Sequence, residues 1–331
     1  MPPVDPGEEP VQPIPEVRPS APLELLWLGH LLLTRAPDED RRLAALGAER
    51  ARQLADELRG FWRDDAAGGV AEMVVLADLS GELFSERLDG LLPDLPQVTD
   101  LAAVSLRSEP ADDRRRITER LERLGRDAAT RRRYGELLQE IWRPLAPEWE
   151  ARGLPQVLAA GRNLRHRLER GEPLEKAAEV VSQLRRKNEA WGRLMDEGER
   201  QGTLALVPAY FGGSWSIWDL PHHVVVGFRE GSNPAEELRD EARHLSSRLR
   251  VLGDATRMAL LLRLADRPTS VGELARMFDL AQPTVSAHLR ALRDAALVST
   301  RRDGPRTLYR ADLESLSELL SQLASRTGAG G

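Results

Sequence analysis

The sequence predicts a mainly α fold with small β elements: a helical N-terminal domain, then a smaller C-terminal domain of short helices closed by a strand pair. Three observations carry this. Apolar residues recur at three- and four-residue spacing through most of the chain, the mark of amphipathic helices. One stretch, TLALVPAYFGGSWSIWDLPHHVVVGF at 203–228, breaks that period with short apolar runs, Gly212-Gly213 and Pro at run edges. Charge is also divided unevenly. The 331 residues carry a net −6, yet Glu241 to Asp312 holds thirteen Arg, no Lys and eight acidic residues, a net of +5, leaving −11 for the rest. Such asymmetry points to a polyanion-binding module within an acidic protein. Only Lys176 and Lys187 are lysines, so the Arg count alone is discounted as compositional bias.

Composition narrows the chemistry. There is no Cys, which excludes disulfides, thiolate metal sites and thiol catalysis and fits a reducing, cytoplasmic setting. No apolar run reaches the ~18–20 residues of a membrane span. The start, MPPVDPGEEPVQPIPEVRPSAP, has neither the basic nor the apolar part of a signal peptide.

Taken in order, residues 1–22 contain eight Pro and read as a disordered tail. Residues 23–230 form a mainly helical domain, expected to sense a ligand or to extend a dimer. LELLWLGHLLL is apolar all round and reads as a buried helix. RRLAALGAERARQLADELRGFW carries Leu43, Leu46, Gly47, Ala51, Leu54 and Leu58 as one apolar stripe on a charged helix. Three more such segments follow, and 203–228 reads as a small β-hairpin or meander. GFREGSNPAEEL is a linker, with Ser232 or Asn233 capping the next helix before Pro234. Residues 236–325 form the second domain and 326–331 a flexible tail.

The C-terminal domain opens with helix DEARHLSSRLRVLG, ending at Gly253. DATRMALLLRLAD is the next helix, capped by Asp254. SVGELARMF follows, opened by a Ser270–Glu273 capping box. After the turn DLAQP comes TVSAHLRALRDAA. LVSTRR-DG-PRTLYR is strand, turn, strand on an Asp303-Gly304 signal. LESLSELLSQLA closes the chain as an amphipathic helix. Two short helices across a tight turn, followed by a hairpin, make a winged helix-turn-helix. Val285, Leu289 and Leu292 would pack inward. Gln282, Thr284, Ser286, His288 and Arg290 then remain outside, with donors suited to base edges and phosphates. Arg301, Arg302 and Arg306 (and Arg310) surround the hairpin and suit phosphate contact.

The run LRVLGDATRMALLLRLADRPTSVGELARMFDLAQPTVSAHLRALRDAALVSTRRDGPRTLYR resembles the ArsR-type winged-helix regulators of bacteria. The resemblance covers about 250–312, carried by LGDATR, SVGELA, the Q-P-T-V-S-x-H-L run and the basic hairpin ending in Tyr309. It implies double-stranded DNA as partner and a homodimer, with roughly 236–252 and 313–324 as dimer helices. Where many members have a capping Ser, this chain has Ala281; where Gly is frequent before Leu-Val, it has Ala296. The third helix reads ELARMF and no His follows His288, so the metal-binding positions of the family's sensors are missing.

A few other residues invite a chemical reading. Adjacent His222 and His223, near Asp219, point to opposite faces of a strand and chelate poorly together. Seven Trp all lie before residue 219; most are expected in the core. Trp215, Trp218, Tyr210 and Phe211 are the candidate lining of an apolar pocket for a small-molecule effector. No nucleophile elbow, phosphate loop or metal helix is present, so no enzyme, cofactor or metal is expected. The expectation is a one-component transcriptional regulator, responding to a non-metal ligand or partner. The alternatives are an enzyme or a protein-interaction module in 23–230 with the winged helix as accessory.

Overall fold

The computed structural model describes residues 14–34, 41–62, 70–98, 106–107, 111–213, 215–229, 239, 242, 245–246, 248–295, 297–303, 306–313, 315–317 and 319–320. In chain order the elements are β1 (Glu16–Val17), α1 (Ala21–Thr34), a 3-10 turn (Arg41–Leu46), α2 (Ala48–Phe61), α3 (Ala71–Leu79), α4 (Ala111–Arg126), α5 (Ala128–Trp142) and α6 (Ala146–Glu148). A π-helical turn (Trp149–Gly153) leads into α7 (Leu154–Glu169), α8 (Leu174–Ala177), α9 (Glu179–Lys187) and α10 (Glu189–Gln201). Strands β2 (Leu204–Pro208), β3 (Trp215–Asp219) and β4 (Val224–Phe228) follow. The rest is α11 (Ala255–Asp266), β5 (Thr269–Ser270), α12 (Val271–Met277), α13 (Gln282–Asp294), β6 (Val298–Asp303) and β7 (Arg306–Ala311). The chain is thus mainly α with small β elements. Where described, 239–252 and 313–320 are largely helical. The expected Ser232/Asn233 cap, the Gly304 turn residue, Ala296 and the C-terminal tail lie outside the described residues.

The chain forms two compact units. One comprises Met1–Glu24, Ala71–Gly135 and Ala146–Gly231; the other comprises Leu25–Val70, Glu136–Leu145 and Ser232–Gly331.

The first unit contains a four-stranded sheet of order β1-β2-β4-β3. β3 and β4 form the expected hairpin, antiparallel with Ile217 opposite Val226. β2 does not complete a meander: it runs parallel to β4, with Leu206 opposite Val226. LALVP and VVVGF are nearly continuous apolar runs, as parallel strands covered on both faces require. Glu16 and Val17, expected in the loose tail, instead pair in parallel with β2 as an edge strand. Val17 is 2% exposed and packs in the core, and Arg165 Nη2 donates to its carbonyl at 2.7 Å. Flanking Pro15 and Pro19 are compatible with this because an edge strand needs fewer N–H donors. Ser20 then caps α1, its Oγ accepting from Leu23 N at 3.1 Å.

α9 and α10 cover the sheet through Val181, Leu184, Leu194 and Met195 against Leu204, Leu206 and Val226. Asn188 caps α10 by accepting from Ala190 N at 2.8 Å, and Gly202 ends it with φ +70°, a conformation suited to Gly. Among the described residues, Glu24, Glu72, Asp78 and Asp219 are carboxylates buried in this unit. Both oxygens of Glu24 accept backbone N–H groups, from Tyr210 and Phe211, each at 2.7 Å. Burial pushes its carboxyl up to about 8, against the opposing pull of those donors and Arg229. Glu72 meets Arg120 at 3.1 Å and accepts from Tyr134 Oη at 3.3 Å; burial raises it too. Asp78 accepts from His222 N at 2.7 Å and faces His223 Nδ1 at 2.5 Å.

In the second unit, the helix expected over 41–62 is broken at Gly47, whose φ is +69°. Left-handed backbone is open to Gly and costly for other residues, so a tight 3-10 turn precedes α2 instead of one long helix. The predicted stripe survives along α2 as Ala51, Leu54 and Leu58, all buried, and Ala55, outside the prediction, is buried with them.

The winged-helix core of this unit gathers Leu260, Leu264, Leu274, Val285, Leu289, Leu292, Leu297 and Val298. The Ser270–Glu273 capping box forms with both reciprocal bonds. Replacing Ser270 with Ala is expected to cost about 1 kcal/mol of stability. Chemical unfolding followed by circular dichroism checks this; an unchanged midpoint would show that the box is redundant.

Candidate nucleic-acid interface

Two capped helices hold α13 in place. Asp254 opens α11, its carboxylate accepting from Arg257 N at 2.8 Å, a bond that keeps its carboxyl below the usual range. α12 follows its capping box, and the α12–α13 turn closes through Phe278 N to Leu274 O and Leu280 N to Ala275 O, both 3.0 Å. Asp279 sits at φ +51° in that turn, left-handed backbone that Asp tolerates better than most residues. Ala281 stands at the N-cap of α13 with extended backbone and no side-chain cap bond. Pro283 in the first turn supplies a preset φ in its place.

Val285, Leu289 and Leu292 are each 0% exposed, forming the inner face of α13. Gln282, Thr284, Ser286 and Arg290 are exposed, with Ala287 between them. Gln282 leans toward α12: its Nε2 lies 3.7 Å from where a side chain on Gly272 would begin. His288 departs from the expected outward position. Its side chain is 21% exposed, and Nδ1 lies 3.8 Å from Asp254 Oδ1, so it faces the cap of α11. The helical spacing accounts for this. At 3.6 residues per turn, His288 falls roughly 60° from the centre of the inner face, on its flank.

The hairpin β6–β7 is antiparallel, with β7 between β5 and β6. Arg301 lies opposite Leu308, Asp303 opposite Arg306, and Ser299 opposite Arg310. Strand alternation therefore puts Arg301, Arg306 and Arg310 on one face and Arg302 on the other, with Val298 and Tyr309. All four arginines are exposed. Together, the small polar face of α13 and the basic hairpin offer hydrogen-bond donors and positive charge on one module.

The candidate pocket residues are not gathered in one lining. Trp215 packs against Trp191, ring centroids 5.2 Å apart, and under Lys187 Nζ at 4.3 Å. Trp218, three residues along the same strand, projects from the opposite face. Tyr210 Oη donates to Glu148 at 2.8 Å, and its ring meets buried Phe211 edge-on. A cleft of about 350 Å³ lies elsewhere, lined by Pro173, Leu174, Glu175, Arg185, Asp196, Glu199 and Arg200. Asp219 pairs with Arg107 at 2.9 Å. Among the described residues, no group of three His, Cys, Asp or Glu is placed to hold a metal, and no helix is long and apolar enough to cross a membrane.

Sequence reasoning missed the polar node at the base of the hairpin. Asp312 N donates to Leu297 O at 2.9 Å, and its carboxylate accepts from Ser315 N at 2.9 Å. Arg248 donates to Ala295 O at 3.2 Å and Ser315 O at 3.0 Å. The Asp-x-x-Ser spacing at 312–315 was a readable cap signal; the Arg248 contacts span tens of residues and leave none.

Residues 254–300 match the family described as "Bacterial regulatory protein, arsR family". Over 71 residues the chain is 49% identical to the HTH-type transcriptional regulator KmtR of Mycobacterium tuberculosis, covering 22% of this chain and 55% of that protein, so the match spans only about half of KmtR. It is 33% identical over 93 residues to the biofilm growth-associated repressor of Agrobacterium fabrum, covering 28% of this chain and 80% of the repressor. Among solved structures, NolR from Sinorhizobium fredii is similar at 30% identity, with 30% of this chain and 97% of that chain covered and a TM-score of 0.25.

Proposed function

Because the chain belongs, through its C-terminal domain, to the bacterial regulatory proteins of the arsR family, we propose that it is a cytoplasmic transcriptional regulator that binds operator DNA as a homodimer. The exposed face of α13 enters the major groove, where Thr284, Ser286, Arg290 and Gln282 meet base edges. Arg301, Arg302 and Arg306 meet the phosphates. His288 holds the reading helix against Asp254 in place of a base contact. The observation that carries this reading is the pairing of a small polar helix face with an arginine-lined hairpin on one core.

The helices flanking that core supply the dimer contact. Leu249, Leu313 and Leu320 are 37%, 53% and 55% exposed, apolar surface that a second copy would cover. Residues 23–230 serve as the sensing or dimer-extending part and respond to a non-metal ligand or partner. Fluorescence anisotropy with duplexes enriched from genomic fragments tests the reading. Binding should favour a pseudo-palindrome and weaken steeply with salt. Binding with no preferred site would favour a protein-interaction role. Gln282→Ala or Ser286→Ala should relax preference at particular base pairs by about 1–3 kcal/mol each. A uniform loss across all sequences would move these residues from base reading to positioning.

A further inference from the structure

The four-stranded sheet ends on two unlike edges. β1 is two residues long, lies between Pro15 and Pro19, and carries exposed Glu16 and Arg18 beside it. Short length, prolines and charges keep such an edge from pairing with another chain. β3, the other edge, has none of these devices. WSIWD is five residues without Pro, Lys or Arg, and its one charged group, Asp219, is buried and bonded to Arg107.

The register identifies the backbone groups that this edge presents. Leu220 N donates to His223 O at 2.8 Å, so residues 220 and 223 form a hydrogen-bonded pair. Alternation along the antiparallel ladder then turns the backbone of Ser216 and Trp218 toward β4 and that of Trp215, Ile217 and Asp219 outward. Among the described residues, nothing bonds to the N–H or C=O of Ile217 on that outer side.

We propose that β3 pairs antiparallel with β3 of a second copy, about a two-fold axis at Ile217, joining two four-stranded sheets into one. In this register outward groups meet outward groups. Ile217 lies opposite the partner's Ile217, and Trp215 opposite the partner's Asp219, so main-chain hydrogen bonds hold the contact. On the other face Ser216 lies opposite the partner's Trp218, a small side chain beside a half-buried indole. The charges match as well. Lys187 Nζ stands 4.3 Å over the Trp215 ring. Asp219 shares Arg107 with Glu197, at 2.9 and 3.0 Å, leaving that end of the strand net negative. The two-fold axis brings the Lys187 end to the Asp219 end twice, as a self-complementary contact requires. This gives the dimer-extending role of residues 23–230 a definite surface, and it does not depend on DNA binding.

The chain has no Cys, so introduced thiols report on this contact alone. Full-length Ser216→Cys and Trp218→Cys proteins are mixed and oxidised with glutathione disulfide. Residues opposite each other in a non-hydrogen-bonded pair lie about 4.5 Å apart at Cα, within disulfide reach, so the mixture should yield roughly tenfold more covalent dimer than either variant alone. Equal yields from the mixture and the single variants would mean random collision and overturn the pairing. No covalent dimer from variants with native circular dichroism would overturn it too. Hydrogen exchange of the wild type decides the matter if the variants do not fold. The Ile217 amide should be protected at high protein concentration and exposed on dilution. Fast exchange at high concentration would show an open edge, left for a different protein to fill, and the proposal fails.

Discussion

Alanine at both Arg302 and Arg306 is expected to cut duplex affinity about a hundredfold for each bound protomer at physiological salt, on the order of tenfold for each charge-assisted hydrogen bond to phosphate that is removed. The slope of log affinity against log salt should fall by about two per protomer, because each neutralised phosphate releases close to one counterion. All sequences should be affected alike, unlike the base-specific losses at Gln282 and Ser286. The register sharpens the single variants. Arg306 shares a face with Arg301 and Arg310, and Arg302 stands on the other. If only one face of the hairpin meets the backbone, one single variant should carry most of the loss. Full affinity and an unchanged salt slope in the double variant would remove the hairpin from the interface.

The second large effect concerns Glu24. Its carboxyl is fully buried, and burial lifts it from 4.5 to about 8. Between those values the folded protein keeps a proton that the unfolded chain has released. The associated stability is complete below pH ~4.5 and is lost as pH rises through 8, with a ceiling on the order of 5 kcal/mol. Thermal unfolding from pH 5 to 9 should therefore show a melting temperature that falls toward the alkaline end. Glu24→Gln should lower stability throughout, because its amide nitrogen would face a backbone N–H where Glu24 offers an acceptor. The same change should flatten the pH profile. A variant as steep as the wild type would show that other groups cause the slope; Glu72 and Asp312 are also raised by burial.

The C-terminal elements were legible because their signals are local. Ser270 and Glu273 are three residues apart, Asp254 precedes its helix directly, and the inner face of α13 repeats every three or four residues. His288 was legible too, had its angle from that face been measured. The N-terminal sheet was not. VVVGF and LALVP are apolar in either strand direction, so only tertiary pairing decides that β2 and β4 are parallel. β1 has two residues between prolines, and its partner lies far along the chain. Gly47 offered a clue, since Gly within a helical stripe often marks a break.

The interleaving of the two units along the chain bears on how the protein is made. Leu25–Val70 leaves the ribosome early, but its partners in the second unit, Glu136–Leu145 and Ser232–Gly331, follow much later. Until residues 298–303 are made, α2 lacks the β6 strand that it lies against. Closing such a long loop is costly and slow, and the uncovered helix is a surface that chaperones would hold. A fragment beginning at 236 would lack Leu25–Val70, and a nonsense codon soon after 231 would leave that segment without its later partners. Leu25–Val70 and the winged-helix core thus come together only once both distant stretches of chain exist.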